Sequence, residues 1–329
     1  MKKKIAIIAG GDSSESGVSL KSAKGLYNFI DRSLYTPYIV IINKKQWYVK
    51  GEYSQKYPVD KNNFTFTKKT SRIKFDFAYI TIHGTPGENG LLQGYFELLG
   101  IPYSTCSPLT SAITFSKFTC NQYLKGFGVS VSESLLLRRG QTISSDEVAN
   151  KVGYPCFVKP NAGGSSFGVT KVKKPEELEA ALEKAFSEDS EVIIEAFMPG
   201  TEITCGIYKT ATQRVVLPVT EVIPANDFFD YNAKYYGEVE EITPARISTE
   251  LTSRVQELTA AIYDILDCKG IVRIDYIISE NNTIRLLEVN TTPGMTNTSF
   301  IPQQVQAAGL SMTDVLTEII EDELRKQHS

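Results

Sequence analysis

The chain has 329 residues, 42% hydrophobic and 22% charged, and its 35 basic and 38 acidic side chains sum to −3. At roughly 150 residues per domain, two or three compact units are expected, with a core large enough to need neither disulfides nor a structural metal. Weak acidity speaks against a nucleic-acid-binding face, which needs clustered Lys and Arg, and no apolar run approaches the roughly 18 residues of a membrane span.

The opening residues, Met1 to Gly11, imitate a secretory leader, but the apolar run stops at Gly10-Gly11, too short for one. Five cysteines, at 106, 120, 156, 205 and 268, form no CxxC pair and leave one over. Buried, reduced thiols in a cytoplasmic enzyme are therefore expected, with no disulfide framework or zinc site.

In chain order, Lys4 to Ala9 reads as a buried strand, Gly10-Gly11-Asp12 as a turn, and Val18, Leu20, Ala23, Leu26 and Ile30 as the apolar stripe of a helix. Phe77 to Ile82 reads as a second strand, His83 to Gly90 as a polar glycine loop, and Leu91 to Leu99 as a helix capped by Gly100. Strand, glycine loop and helix, twice over, predict a parallel α/β unit with both loops at one crevice beyond the strand ends. Further on, Ser107 to Phe127 reads as one helical stretch containing Lys117. Cys156 to Lys159 and Gly168 to Val172 read as strands around a glycine-serine loop. Pro175 is placed to start a helix with Leu178, Ala181, Leu182 and Phe186 on one face. Strands are expected at 191–195 and 202–208, a long irregular segment at 223–245, and an amphipathic helix through Leu251, Val255, Leu258, Ile262 and Ile265. A loop of the length of 223–245 is more often functional than accidental. The candidate division is 1–105, 106–195 and 196–329.

Residues 271–290 carry the sharpest geometric expectation. Ile271 to Ser279 and Thr283 to Asn290 are β-rich runs, and Asn281-Asn282 can form the centre of a two-residue hairpin turn. Asp275 then faces Glu288, Arg273 faces Asn290, and all four share one face. Opposed carboxylates repel, so the pair needs a shared proton, a cation or the neighbouring Arg273. Asp, Glu and Asn oxygens suit Mg²⁺ or Mn²⁺ bound beside phosphates; the alternative is a solvated face of an edge hairpin. Thr291 to Met295 forms another tight loop off the same strand end, which favours the metal set Asp275, Glu288 and Asn290.

Lys159 to Gly168 is a second constellation. Glycines let backbone N–H groups close on phosphate oxygens, and Ser165 and Ser166 add hydroxyl donors. It is not a Walker A loop, because its lysine precedes the loop and a β-branched run follows; it reads as a flap between strands over a triphosphate. The loop at 10–17 lacks the GxGxxG dinucleotide pattern. Glu15 there either favours its helix dipole or grips a substrate ammonium. His83 is one of two histidines and has no Gly-x-Ser-x-Gly partner for a hydrolase triad. Lys234-Tyr235 in the long segment is either surface charge with a packed ring or part of the site.

These residues together resemble the ATP-grasp superfamily and, within it, the D-alanine–D-alanine ligase family, over roughly residues 4–318. The motifs are Gly-Gly-x-Ser-x-Glu at 10–15, His-Gly-x-x-Gly-Glu-x-Gly at 83–90, Lys-Pro-x-x-x-Gly-Ser-Ser-x-Gly at 159–168, Ala-Lys-Tyr at 233–235, Arg-Ile-Asp at 273–275 and Glu-Val-Asn-Thr-x-Pro-Gly-Met at 288–295. The resemblance implies an α/β and α+β chain, an ATP-grasp fold with an N-terminal Rossmann-like parallel-sheet domain. It implies a cytoplasmic homodimer that joins two D-alanines through an acyl phosphate, using ATP and two Mg²⁺ ions, with Mn²⁺ able to substitute. Partners would be D-alanine and ATP, with no nucleic acid and no membrane. Lys117, Lys159, Ser165 and Ser166 would hold the ATP phosphates, Glu195, the stretch from Ala196 through Phe197 to Met198, and Glu202 the adenine and ribose, and Lys234 would also bind the nucleotide. Glu15, Ser165 and Tyr235 would form a hydrogen-bonded trio at the substrate, with His83 beside it. Arg273 and the Gly294 N–H would stabilise the tetrahedral oxyanion, and Ser299 and Phe300 would receive the second amino acid. The chain departs from the family pattern at Ser16-Gly17, Ala196 and Phe300.

Overall fold

Strand β1 (Lys3–Gly10) is apolar along most of its length and buried on both faces, which suits the middle of a parallel sheet. The computed structural model describes residues 2–164, 167–224 and 239–326. β2 (Tyr35–Ile42) and β7 (Phe77–Ile80) flank β1 in parallel. Beyond β2 the sheet continues as an antiparallel meander of β3 (Trp47–Lys50), β4 (Lys56–Asp60), β5 (Thr65–Lys68) and β6 (Ser71–Lys74), giving the order β6-β5-β4-β3-β2-β1-β7. The expected parallel sheet is thus parallel only at β2-β1-β7, where α1 joins β1 to β2 and the meander itself leads into β7. The meander strands are short and lysine-rich, and carry little hydrophobic periodicity for a sequence reading to use.

Helix α1 (Ser16–Phe29) buries Ser19, Ser22, Ala23 and Leu26, whereas Leu20, expected in its apolar stripe, is 46% exposed. The buried face is small-residued because another loop lies hard against it. A Cβ at Gly25 would collide with the Met295 carbonyl. Helix α2 (Leu91–Leu98) follows the His83–Gly90 loop as expected. The stretch 107–127 is two helices, α3 (Pro108–Phe115) and α4 (Lys117–Lys125), rather than one. Ser116 between them is extended and its Oγ accepts from Thr119 N, so it caps α4 and leaves Lys117 as the first helical residue.

The second sheet is antiparallel, in the order β10-β9-β11-β8, from β8 (Ser134–Arg138), β9 (Cys156–Pro160), β10 (Thr170–Val172) and β11 (Glu191–Ala196). Helices α5 (Ser145–Lys151) and α6 (Leu178–Glu188) pack on it. Pro175 opens a short 3₁₀ turn before α6 rather than α6 itself, and Leu182 and Phe186 are only half-buried.

The third sheet runs β15-β14-β12-β16-β17 with β13 beside β12. Its strands are β12 (Thr201–Lys209), β13 (Arg214–Val216), β14 (Thr220–Pro224), β15 (Val239–Ile242), β16 (Val272–Ile278) and β17 (Ile284–Asn290). The segment expected to be irregular at 223–245 therefore carries strand at both ends, while Lys234 and Tyr235 lie outside the described residues. Helix α7 (Thr249–Ile265), capped by Ser248, covers this sheet. Helices α8 (Phe300–Ala307) and α9 (Met312–Lys326) return to the N-terminal sheet, where Val315, Leu316, Ile319 and Ile320 share one core with Ile5, Ile7 and Leu26. The core around β8 to β11 draws only on residues of its own lobe. All five cysteines are buried free thiols, as expected. No described helix is long and apolar enough to cross a membrane.

Candidate active site

The three sheets enclose a cavity of about 890 Å³. It is lined by Glu15, His83, Lys117, Lys159, Gly163, Gly164, Glu195, Phe197, Met198, Glu202, Arg273, Asp275, Glu288, Asn290, Gly294, Ser299 and Phe300. Every site candidate within the described residues is therefore at this one cavity. Ser165, Ser166, Lys234 and Tyr235 lie outside the described residues.

The β16–β17 hairpin builds its floor. Arg273 faces Asn290 and Asp275 faces Glu288, the pairing expected from sequence. The turn itself differs. Ser279 N donates to Thr283 O at 3.0 Å and Asn282 sits at φ +59°, so the loop has three residues, Glu280 to Asn282, rather than two. A β-bulge at Leu287 restores the pairing, since Tyr276 faces Leu286 while Asp275 faces Glu288. The bulge turns Leu287 into the cavity wall, where plain alternation would send it to the core side.

Asp275 is fully engaged. Arg273 Nε donates to its Oδ1 at 2.9 Å and Nη2 to its Oδ2 at 2.7 Å. Buried Thr204 on β12 donates to Oδ1 at 2.5 Å, and Asn290 Nδ2 to Oδ2 at 3.1 Å. Burial works against the Arg273 charge, but Asp275, Glu288 and Glu202 outweigh it and raise its pKa above the ordinary value. Arg273 is thus the cation that lets two carboxylates face each other, and Phe300 covers it with its ring centroid 5.3 Å from Cζ. Asn290 turns its amide nitrogen to the carboxylates, where an oxygen was expected.

Lys117 bridges floor and flap. Its Nζ donates to Gly163 O at 2.5 Å and stands 3.9 Å from Glu288 Oε2. Asn161 fixes the start of α4 beside it, accepting from Lys117 N and Phe118 N at 3.0 and 2.9 Å. Lys159 is ion-paired with Glu195, whose Oε1 accepts from Asn121 at 2.9 Å. This places Glu195 as the lysine's counter-charge, in addition to lining the cavity near Phe197 and Met198.

Glu15 does not cap α1 with its side chain. It reaches instead toward the flap, where a Cβ at Gly164 would fall 2.8 Å from Glu15 Oε1, so only glycine leaves that carboxylate its place. His83 is buried, which lowers its pKa and favours the neutral ring, and Ser22 Oγ lies 3.4 Å from its Nε2. Ser22 Oγ also accepts from Met295 N at 3.3 Å, tying the Thr291–Met295 loop to α1. Ser299 stands just before α8, and Thr296 N donates to its Oγ at 3.0 Å.

Sequence reasoning passed over three carboxylates at the cavity. Glu88 accepts from Gly84 N and Thr292 Oγ1, both at 2.6 Å, joining the two glycine loops. Burial, reinforced by Glu15, pushes its pKa up to about 7. Glu221 is clamped by Arg246, and Glu241 lies in the wall near α8. Glu88 stands inside the His83–Gly90 motif, so its signal was present. Glu221 and Glu241 come from strands that the sequence did not mark.

Among the described residues no three His, Cys, Asp or Glu side chains gather as a metal cage.

Two family models match the chain, the D-ala D-ala ligase N-terminus over residues 4–106 and the D-ala D-ala ligase C-terminus over residues 123–321. The chain belongs to the D-alanine–D-alanine ligase family. It is 64% identical over 322 residues to the D-alanine–D-alanine ligase of Phocaeicola vulgatus and 63% identical to that of Bacteroides fragilis, in each case over 98% of this chain and 99% of the relative. Among solved structures, the VanG D-Ala:D-Ser ligase of Enterococcus faecalis superimposes with a TM-score of 0.86 at 34% identity, over 98% of this chain and 99% of that one. The ATP complex of the Bacillus anthracis D-alanine–D-alanine ligase gives 0.78 at 31% identity over 99% of both chains. This member of the family is an ATP-dependent ligase of ATP-grasp fold, and its departures at Ala196 and Phe300 both line the cavity.

Proposed function

We propose that the chain ligates two D-alanines into D-alanyl-D-alanine for peptidoglycan precursor synthesis, with the residues above in the following roles. The observation that carries the reading is the charge layout. Arg273, Asp275, Glu288 and Asn290 share one hairpin face, and Lys117 connects that face to the Gly163–Gly164 flap.

A carboxylate is a poor electrophile. The first D-alanine's carboxylate takes the γ-phosphoryl group of ATP to give an acyl phosphate and ADP, and the second D-alanine, once its bound ammonium has lost a proton to become the free amine, attacks that carbonyl as phosphate leaves. Phosphoryl transfer asks for positioning and neutralised charge rather than a protein nucleophile. Lys117, Lys159, Ser165 and Ser166 position the phosphates, and Lys234 also serves the nucleotide. Phe197, Met198 and Glu202 hold the base and ribose. Glu15, with Ser165, Tyr235 and His83, holds the first D-alanine. Arg273 and the Gly294 N–H face the developing oxyanion, and Ser299 with the start of α8 receives the second carboxylate.

The donor set fits a hard divalent ion shared with phosphates. Asp275 and Glu288 supply two carboxylates on one face, and a site that borrows phosphate oxygens and water needs no third acid. Asn290 serves once its amide turns its oxygen inward. Two Mg²⁺ ions, or Mn²⁺, held there would shield the phosphate charge.

A cytoplasmic homodimer belongs to the same reading. The test is phosphate release from ATP that depends on D-alanine, with the dipeptide identified by mass. ATP binding without that release, or a preference for D-lactate or D-serine as second substrate, overturns it. The high-identity relatives favour D-alanine over the D-serine chemistry named for the VanG enzyme.

A further inference from the structure

Glu241 is a cavity carboxylate to which the roles above give no task. It stands in the row Glu241–Val222–Glu202–Ile277, which crosses β15, β14, β12 and β16 in direct register. Its side chain is therefore on the sheet face that carries Arg273 and Asp275.

Its hydrogen bonding is one-sided. Oε2 accepts from Gln303 Nε2 at 2.5 Å, and Oε1 has no hydrogen-bond partner among the described residues. By contrast Glu88, Glu195, Glu221 and Asp275, which also line the cavity, have partners on both oxygens. The same Gln303 nitrogen donates to Thr298 O at 2.9 Å. Glu241 is thereby moored to the turn that presents Ser299 and opens α8.

An α-amino acid carries its ammonium one carbon from its carboxylate. With the carboxylate on Ser299 and the start of α8, the ammonium falls beside that same turn, where Glu241 Oε1 is an acceptor with no hydrogen-bond partner among the described residues. We infer that Glu241 recognises the ammonium of the second D-alanine, and so selects an amino acid over a hydroxy acid such as D-lactate at that position. The inference rests on the function proposed above.

The electrostatics agree. Burial raises the Glu241 pKa, while Gln303 and the cation of Arg273 lower it. Glu202 faces the same side two strands away, and Glu221 is taken up by Arg246. An ammonium makes a charge-assisted bond to such a group, whereas a hydroxyl brings no charge and leaves a half-buried carboxylate facing an anionic substrate.

The experiment compares wild type, Glu241→Gln and Glu241→Asp in dipeptide synthesis, with D-lactate as a competitor against the second D-alanine. Glu241→Gln is expected to raise the KM for the second D-alanine by about tenfold or more. The KM for ATP should stay near wild type, the inhibition constant of D-lactate should stay level or fall as the repelling charge is removed, and Glu241→Asp should recover part of the loss. A KM for the second D-alanine unchanged in Glu241→Gln overturns the inference, as does an equal loss of D-alanine and D-lactate binding, which marks a merely structural role. Should the Gln variant not fold, Glu241→Asp decides alone: a rise confined to the second D-alanine supports the inference and no rise overturns it. Wild-type protein that forms no dipeptide overturns the proposed function itself, a result distinct because it is read before any variant is made.

Discussion

Asp275 and Glu288 face each other in register, although the chain between them makes a three-residue turn and a bulge instead of a plain ladder. The bulge separates two adjacent leucines. Leu286 is 1% exposed in the core, and Leu287 lines the cavity. Leu286→Ala should therefore cost about 2–5 kcal/mol of stability. Leu287→Ala should cost under about 1 kcal/mol and instead raise the KM for ATP. Thermal unfolding with steady-state kinetics checks both, and equal destabilisation would show that the bulge does not divide them.

Glu288 lies between Arg273 Nη2 at 3.8 Å and Lys117 Nζ at 3.9 Å, so its single charge is shared between both cations and, in the proposed mechanism, helps hold a divalent ion. Glu288→Gln keeps the shape and removes the charge. Turnover should fall by at least about a hundredfold, roughly 3 kcal/mol of transition-state stabilisation, with the fold retained by circular dichroism. Near-wild-type phosphate release in a folded variant would dismiss the assignment.

Glu88 gives a pH signature. Burial and Glu15 raise its folded pKa from an ordinary 4.5 to about 7. Between those values the folded chain binds more protons than the unfolded one, so this group's contribution falls as pH rises from about 4.5 to about 7 and is level above that. Buried His83, its pKa lowered, acts oppositely, with stability lost as pH drops below about 6.5. Comparison with Glu88→Gln isolates the first effect. The stability of wild type relative to the variant should decline across pH 5 to 7, measured by denaturant unfolding at each pH, and a flat difference would contradict the assignment.

Gly25 lets the Thr291–Met295 loop touch α1, which bears Ser22 against Met295 N. Gly25→Ala must push that loop away, because the obstructing atom is a backbone carbonyl. A destabilisation of about 1–3 kcal/mol is expected, with a larger proportional loss of ligation than of ATP binding, since Gly294 moves with the loop. Nucleotide affinity and turnover measured together test the split; parallel losses in both would refute it.

Much of this was legible because the relevant residues sit on strongly patterned elements. β1 and β7 carry apolar runs and β9 an apolar run that ends in Lys159, each followed by a glycine loop, so the loops and the residues on them could be placed. The hairpin register at Asp275 and Glu288 emerged correctly although the turn did not, because one extra turn residue and one bulged residue offset each other. What could not be read depends on tertiary contact. Leu20 yielded its place in α1 to Ser19, which bonds Gly10 N and Thr81 O, and to Ser22, against which a loop from the far end of the sequence packs. Ser116 broke a continuous helical pattern by capping α4. Glu241 gained its setting only once β15 paired with β14, in a segment whose composition suggested no strand.

The separate core of the lobe at 134–196 has a mechanical consequence. The first and third lobes share side chains of α1, α8 and α9 in one core, while the middle lobe packs only against itself. Its attachments to the rest of the chain are polar: Ser132 Oγ donates to Ala196 O at 2.7 Å, Asn121 on α4 donates to Glu195 at 2.9 Å, and Asn161 accepts from Lys117 N and Phe118 N. The elements flanking the seats proposed for the two amino acids, α1, the loop ending at Met295 and α8, are thus bound to one another by a single apolar core, whereas the middle sheet, among the described residues, meets the rest of the cleft through polar contacts.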